Sequence, residues 1–165
     1  MKRMFLFAIF LLVMGWAPTT RAASDTGEAV PRERYANRET LPDPTAKECP
    51  QTTRSLVQVR DNLYRHTNAE IPFLHSGLVL ITSEGALVID PALTCTAGWL
   101  RDEIKKRFNV DVRYVILTHG HFDHIAGSQV FQQAGATVIA HRNAVEPIVG
   151  EKLPTAVPDK VFDKK

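Results

Sequence analysis

The sequence predicts an α/β (or α+β) fold in which helices flank a mixed β-sheet. Two apolar runs, 77–82 and 86–90, surround a Ser-Glu-Gly turn, a pattern typical of a β-hairpin. Leu100, Ile104 and Phe108 recur at the spacing of one helix face. An apolar run at 112–117 follows this helix. The order strand, helix, strand predicts a parallel pair joined by a right-handed crossover.

The other elements follow from local patterns. Short β-like runs at 56–59 and 62–64 precede the hairpin, and the helix is predicted over 97–108. A second helix is predicted over 126–133, because Ala134-Gly135 follows it and glycine is favoured after a helix. A strand at 137–140, a short helix at 143–149 and the approach to a further strand at 161–165 complete the prediction.

The first residues have the pattern of a secretory signal peptide. Lys2 and Arg3 precede an apolar run at 4–14, and small residues near 20–23 suit a cleavage site. A permanent anchor is disfavoured, because a spanning helix needs roughly 20 apolar residues. We therefore predict a signal peptide at 1–23, an extended or disordered Pro-interrupted arm at 24–54 and one domain at 55–165. The protein is expected to be secreted or periplasmic, with no stable membrane anchor after cleavage.

Charge and cysteine content narrow the class of partner. The predicted signal peptide holds three of the 20 basic residues, so 17 remain against 18 acidic residues. A chain without excess positive charge does not attract a polyanion, and we expect no nucleic-acid partner. Cys49 and Cys95 are the only cysteines. They could pair in an oxidising compartment or remain separate thiols, and the sequence leaves this open.

One segment concentrates the side chains that bind metals. His119, His121, Asp123 and His124 lie directly after the predicted strand at 112–117. Imidazole and carboxylate ligands suit Zn²⁺, and open α/β sheets place sites at the carboxyl ends of strands. The spacing predicts that His119 and His121 hold one ion while Asp123 and His124 reach a second. Two adjacent ions can hold a deprotonated water as a nucleophile.

Residues 118–127, THGHFDHIAG, resemble the signature of the metallo-β-lactamase superfamily, and LVID at 87–90 resembles its earlier strand. The resemblance implies the amino-terminal portion of the family domain, half of a four-layer αββα sandwich. It also implies a zinc-dependent hydrolase in which a metal-activated hydroxide attacks an ester, thioester, lactone or lactam of small-molecule size. Asp123 would be the catalytic ligand, and Asp90 would orient a ligand histidine from behind. The complete domain would hold two zinc ions.

The same resemblance raises alternatives. The family's third histidine, bridging Asp and final histidine would lie after Lys165, so this chain could be an inactive fragment that binds one ion weakly or none. Its uncovered sheet surface would then favour self-association. A quinoprotein-associated periplasmic role is a further alternative. His141 is a less favoured substitute ligand, because a lone histidine after a strand is more often a polar strand-end residue. No substrate-binding residue is identified.

Overall fold

The computed structural model describes residues 27–42, 53–70, 73–150, 152 and 154–164, with the backbone alone at 69–70 and 73–74. The predicted signal peptide lies outside these residues. So do Cys49 and the Pro-rich stretch around it. Within the described ranges, no helix combines the length and apolarity that crossing a membrane requires.

The described strands form one mixed sheet of eight strands. Their order is β1-β8-β7-β6-β5-β4-β3-β2. Strands β2 to β5 form an antiparallel meander, β5 to β8 run parallel, and β1 pairs antiparallel with β8. The predicted mixed sheet is confirmed. The strand bounds are Glu28–Ala29 (β1), Thr53–Arg60 (β2), Leu63–Glu70 (β3), Phe73–Thr82 (β4), Gly85–Ile89 (β5), Val112–Leu117 (β6), Thr137–His141 (β7) and Lys160–Phe162 (β8).

Four α-helices accompany the sheet: α1 (Thr94–Phe108), α2 (Phe122–Ile125), α3 (Ser128–Gln133) and α4 (Arg142–Gly150). The helix predicted over 126–133 is confirmed as α3, which begins two residues later, at Ser128. The sequence does not predict the short helix α2, and a break at Ala126 and Gly127 separates it from α3. The break has a tertiary cause. The Gly127 N–H bonds the Ala92 carbonyl at 2.7 Å, and a Cβ on Gly127 would overlap the Ala97 side chain. This close approach fixes the turn that precedes α3.

The core lies between the sheet and helices α1 and α3, which contact one another on the same face. Burial of each large apolar side chain stabilises the fold by roughly 1.5–3 kcal/mol. Alternate strand residues point to this face, because side chains alternate along a strand. Fully buried members are Val79, Val88, Val115 and Val138 from the sheet, with Leu100, Ile104 and Phe131 from the helices.

The opposite side of the sheet is apolar and partly open. Val57 of β2, Tyr114 of β6 and Phe162 of β8 point away from the helices and are 51%, 40% and 39% exposed. Strand registers place less exposed apolar residues such as Leu78 and Ile116 on the same side. We call this surface the open face. Apolar patches of this kind mark interaction surfaces.

Residues 27–42 are more structured than the sequence indicated for the arm at 24–54. Strand β1 adds an edge to β8, and a 3-10 helix follows at Arg32–Tyr35. Arg142 forms ion pairs with Glu28 and Asp163, which ties the arm to the last strand. A two-residue edge strand is too short to show the alternating pattern of a strand, so the sequence does not predict it. At the start of α1, Cys95 is disulfide-bonded.

Substitution of Gly77 by alanine tests how tightly the middle of the sheet is packed. Its hypothetical Cβ would overlap His66 Nε2 and the Ile89 carbonyl oxygen and lie 2.6 Å from the Asp90 carbonyl oxygen. We expect Gly77→Ala to lower the free energy of unfolding by about 1–3 kcal/mol, the usual cost of overpacking. Thermal and urea unfolding measure this change.

The matched control is Gly98→Ala in α1. A Cβ there meets nothing within 4 Å, and alanine favours a helix over glycine by about 0.5–1 kcal/mol. This variant should be more stable than wild type. Equal stability of the two alanine variants would contradict the packing argument.

Candidate metal centre

The site begins at Asp90, the residue that follows β5. Its φ is +50°, and Ala92 has a φ of +62°, so the chain turns sharply here through the left-handed region. Such backbone conformations are uncommon for residues with a Cβ and concentrate at functional sites. The turn is held on both sides: Asp90 N–H bonds the Ile116 carbonyl at 3.0 Å, and Ala92 N–H bonds the His124 carbonyl at 3.2 Å. The backbone therefore joins the end of β5 to helix α2.

The Asp90 side chain connects this turn to the segment after β6. Its Oδ1 accepts the Thr118 backbone N–H at 2.9 Å, and its Oδ2 accepts the Thr118 hydroxyl at 2.6 Å. His124 Nδ1 lies 3.2 Å from the same Oδ2. Asp90 is only 6% exposed, so these contacts replace the water that a carboxylate would otherwise bind. The carboxylate thus fixes both ends of the histidine-rich segment.

These contacts determine where the imidazole protons lie. The Thr118 hydroxyl has one proton, which it donates to Asp90, so its oxygen accepts a hydrogen bond from His119 Nδ1 at 2.8 Å. His124 Nδ1 faces the Asp90 carboxylate and likewise carries its proton. In the neutral form of the ring, both histidines therefore present an unprotonated Nε2. That is the form in which imidazole binds a metal ion.

Side chains of the predicted ligand set lie together at this edge of the sheet. Ligand atoms of Asp90, His119 and His124 lie within 4.8 Å of one another. The His119 ring centroid is 4.2 Å from that of His124 and 4.7 Å from that of His121. Asp123 Oδ2 lies 3.7 Å from His124 Nε2. Imidazoles beside carboxylates form a donor set that fits a divalent ion such as Zn²⁺.

The placement differs from the sequence prediction in two respects, the membership of the group and the local backbone. Among the described residues, the close group contains Asp90 with His119 and His124, and His121 and Asp123 lie beside it. His119 and His121 lie in the loop after β6, whereas Asp123 and His124 belong to the single helical turn α2. The turn brings the Asp123 and His124 side chains to the same edge as the loop histidines. The assignment of His119, His121, Asp123 and His124 as ligands, and of Asp90 as their support, stays a prediction that this geometry favours.

His141, the less favoured substitute ligand, lies apart from this group. Its Nδ1 accepts the Asn143 backbone N–H at 3.1 Å, and its Nε2 donates to the Asp163 carbonyl at 3.3 Å. Its ring packs edge-on against Phe162. Both nitrogens are therefore engaged at the strand end, which is the polar strand-end role that the sequence favoured.

Two histidines adjoin the site that the sequence prediction did not include. His75 Nε2 on β4 lies 3.0 Å from His124 Nδ1, and His66 Nε2 on β3 lies 3.5 Å from the Ile89 carbonyl oxygen. Both side chains are buried beneath the histidine-rich segment. A signal was present in the sequence: each histidine occupies the strand face on which Val79 and the other core residues lie. Polar residues at core positions of a strand indicate a buried polar site.

Burial changes the proton affinity of both histidines. Desolvation, with smaller repulsion from His124 and His66, lowers the pKa of His75 from 6.5 to about 4. Desolvation also lowers the pKa of His66, although hydrogen bonds to the Ile89 and Asp90 carbonyls partly oppose the change. Both side chains are therefore neutral at pH 7.

This burial predicts a pH-dependent stability. Between pH 6.5 and about 4 the unfolded chain binds protons at His75 that the folded chain does not, so the free energy of unfolding falls as the pH falls through this range. We expect chelator-treated protein to lose stability from pH 6.5 downward, and His75→Phe to show a shallower slope. Urea unfolding at a series of pH values measures both. Identical slopes for wild type and variant would contradict the prediction.

Comparison with known proteins agrees with this geometry. Residues 72–158 match the profile of the metallo-beta-lactamase superfamily. A metal-dependent hydrolase of the UPF0173 group from Rhizobium meliloti (strain 1021) is 34% identical over 68 residues, which is 41% of this chain and 29% of that protein. A type 2 metallo-beta-lactamase from Bacillus cereus is 29% identical over 113 residues, 61% of this chain and 40% of that protein. The chain thus spans less than half the length of these relatives.

Solved structures show the same fold. The metallo-beta-lactamase FIM-1 from Pseudomonas aeruginosa, in its mono-zinc form, superposes with a TM-score of 0.63 and 18% identity, over 70% of this chain and 54% of that one. A metallo-beta-lactamase from Hirschia baltica gives a TM-score of 0.60 and 16% identity, over 68% and 53%. The profile match covers more than half of the chain and includes the whole histidine-rich segment. The chain belongs to the metallo-beta-lactamase superfamily.

Proposed function

We propose that this protein is part of a secreted zinc-dependent hydrolase that cleaves an ester, thioester, lactone or lactam of small-molecule size. The observation that carries the proposal is the grouping of the four predicted ligands around Asp90 at the carboxyl edge of the sheet. Ligand atoms of His119, His124 and Asp90 lie within 4.8 Å of one another, the His121 ring is 4.7 Å from that of His119, and Asp123 Oδ2 is 3.7 Å from His124 Nε2. Superfamily membership supports hydrolysis as the reaction class. Without the predicted signal peptide the chain has 17 basic and 18 acidic residues, and this balance disfavours a polyanionic substrate.

Each residue has a role in this proposal. His119 and His121 would hold one ion, and Asp123 and His124 would hold the second. A bound divalent ion supplies Lewis acidity and lowers the pKa of water towards neutrality. Asp123, whose Oδ2 lies 3.7 Å from His124 Nε2, would accept a hydrogen bond from the attacking water and hold it in line with the substrate carbonyl. Asp90 and Thr118 keep the Nε2 atoms of His119 and His124 free of protons and aimed outward.

Export of the protein is a separate part of the proposal. The signal-like pattern at residues 1–23 supports it, and so does the disulfide bond at Cys95. Disulfides persist in the periplasm and outside the cell, whereas the cytosol keeps thiols reduced. Both observations favour the same oxidising compartment.

Metal binding is the first test of the proposed site. The chain offers two histidines to the first ion and an Asp-His pair to the second, so we expect zinc to bind weakly and to be lost on mild dialysis. His119→Ala and His124→Ala should each weaken binding at least about tenfold, because even changes behind a ligand cost 10–100-fold. Competition with a fluorescent zinc chelator measures the affinity. Hydrolysis of a thioester, a lactone and a chromogenic lactam by the chain alone should be absent or very slow.

His141→Ala is the matched control, because it removes a histidine whose nitrogens bond Asn143 and Asp163 instead. Its zinc affinity should equal that of wild type. Retention of stoichiometric zinc in both the His119 and His124 variants would refute the proposed ligand set. Rapid turnover by the isolated chain would refute the expectation that it needs further ligands.

Self-association of the chain tests whether the open face is an interaction surface. Because Val57, Tyr114 and Phe162 expose apolar surface on one side of the sheet, we expect the chain to self-associate with increasing concentration. Val57→Lys combined with Tyr114→Lys should shift the sedimentation profile towards monomer. Leu41→Lys is the control, because Leu41 is equally exposed at 51% but lies on the arm. A wild-type monomer at all concentrations would contradict the expectation.

A further inference from the structure

A buried polar layer lies beneath the candidate metal centre. His66, Asn68 and His75 occupy one face of strands β3 and β4, where Asn68 is the direct cross-strand partner of His75. Their exposed fractions are 0%, 1% and 5%. One side-chain atom of each, His66 Nδ1, Asn68 Oδ1 and His75 Nδ1, has no protein hydrogen-bond partner. A buried polar atom without a partner costs about 1–3 kcal/mol, so this layer is not explained by stability.

His75 is the member of the layer that contacts the site. Its Nε2 lies 3.0 Å from His124 Nδ1, and its ring meets the His124 ring edge-on with centroids 4.3 Å apart. His124 Nδ1 is thus flanked by two groups, His75 Nε2 and Asp90 Oδ2 at 3.2 Å. One of the two histidine nitrogens must donate and the other must accept.

The Asp90 carboxylate decides the direction of this hydrogen bond. If His75 Nε2 were the donor, the His124 Nδ1 lone pair would face the negatively charged Oδ2, and His124 Nε2 would carry a proton and could not bind metal. If His124 Nδ1–H is the donor, it is shared between Asp90 and the His75 lone pair, and both contacts are favourable. His75 then carries its proton on Nδ1, the atom that lacks a protein partner.

We propose that His75 is a positioning residue for the metal centre: it accepts the Nδ1 proton that His124 shares with Asp90 and holds the ring with Nε2 facing the metal ligands. The Asp90 carboxylate contacts this proton from one side. The His75 ring packs edge-on against the His124 ring and limits its rotation from the other side. This inference rests on the proposed function, because it presumes that His124 is a ligand.

A role for His75 as a ligand agrees less well with the geometry. His75 Nε2 reaches the far side of the His124 ring, on the Nδ1 nitrogen. A metal ion on His124 Nε2 would therefore lie across the ring from His75.

The test compares two substitutions of His75. His75→Phe keeps a ring against His124 but removes the acceptor, whereas His75→Gln can present an oxygen acceptor near the position of Nε2. We expect zinc and Co²⁺ affinity to fall about 10–100-fold in the Phe variant, the usual effect of losing a partner behind a ligand. The Gln variant should stay within about threefold of wild type. The Co²⁺ absorption bands should shift in the Phe variant only.

Stability separates positioning from a merely structural role. Because His75→Phe removes a buried atom without a partner, its metal-free form should unfold at the wild-type temperature or above. Ser128→Ala is the control for loss of a buried polar contact, since its hydroxyl accepts the Ala156 N–H away from the site. That variant should lose stability and keep its metal affinity. Unchanged metal affinity in His75→Phe, or equal losses in the Phe and Gln variants, would overturn the proposal.

A second measurement distinguishes failure of the positioning role of His75 from failure of the proposed function. In the metal-free chain at pH 8, nitrogen-15 spectra of the imidazoles report which nitrogen carries each proton. We expect His124 to be protonated at Nδ1 and to show a through-hydrogen-bond coupling to His75 Nε2. Those signals with no metal binding by wild type would refute the proposed function and support the positioning contact. Protonation of His124 at Nε2 would overturn the positioning role.

Discussion

The carboxylate of Asp90 is the interaction on which the metal centre depends. It accepts two hydrogen bonds from Thr118 and faces His124 Nδ1, so one buried charge connects the end of β5, the end of β6 and helix α2. A buried charge is tolerated only when its hydrogen-bonding capacity is filled. The fold therefore cannot place Asp90 without also placing the histidine-rich segment. Structure and proton positions are fixed by the same set of contacts.

The side chains of the candidate metal centre lie in two layers. The outer layer is the group of His119, His121, Asp123 and His124, whose rings and carboxylate lie side by side. Behind it, Asp90 and His75 both contact His124 Nδ1, the nitrogen that faces away from the proposed metal position. Such an arrangement orders a site before any ligand binds, because the side chains lose little further freedom on binding. The unfavourable burial of His66 and His75 is consistent with a cost in stability that serves the site.

The sequence predicted most strands, helix α1, the mixed sheet and the segment that holds the candidate ligands, because each depends on a local repeat or a compact motif. It placed the start of α3 at Ala126, two residues early, because the close contact of Gly127 with Ala97 and Ala92 is tertiary. It also did not predict the short helix α2. It also missed His66 and His75, since contact between β4 and α2 depends on how the strands are ordered in space. His75 and His124 are 49 residues apart in the sequence. Local patterns contain no information about such pairs.

The pairing of β1 with β8 has a consequence for the order in which the chain folds. Glu28 faces Val161 across this pair, so the two partners are separated by nearly the whole described chain. Contacts between residues this distant in sequence form late, because closing a long loop costs entropy before the contact is made. During synthesis the arm has no partner strand until residues 160–162 have been made. The edge of the sheet at β8 is therefore closed last, and it is the part of the sheet that should open first in the folded protein.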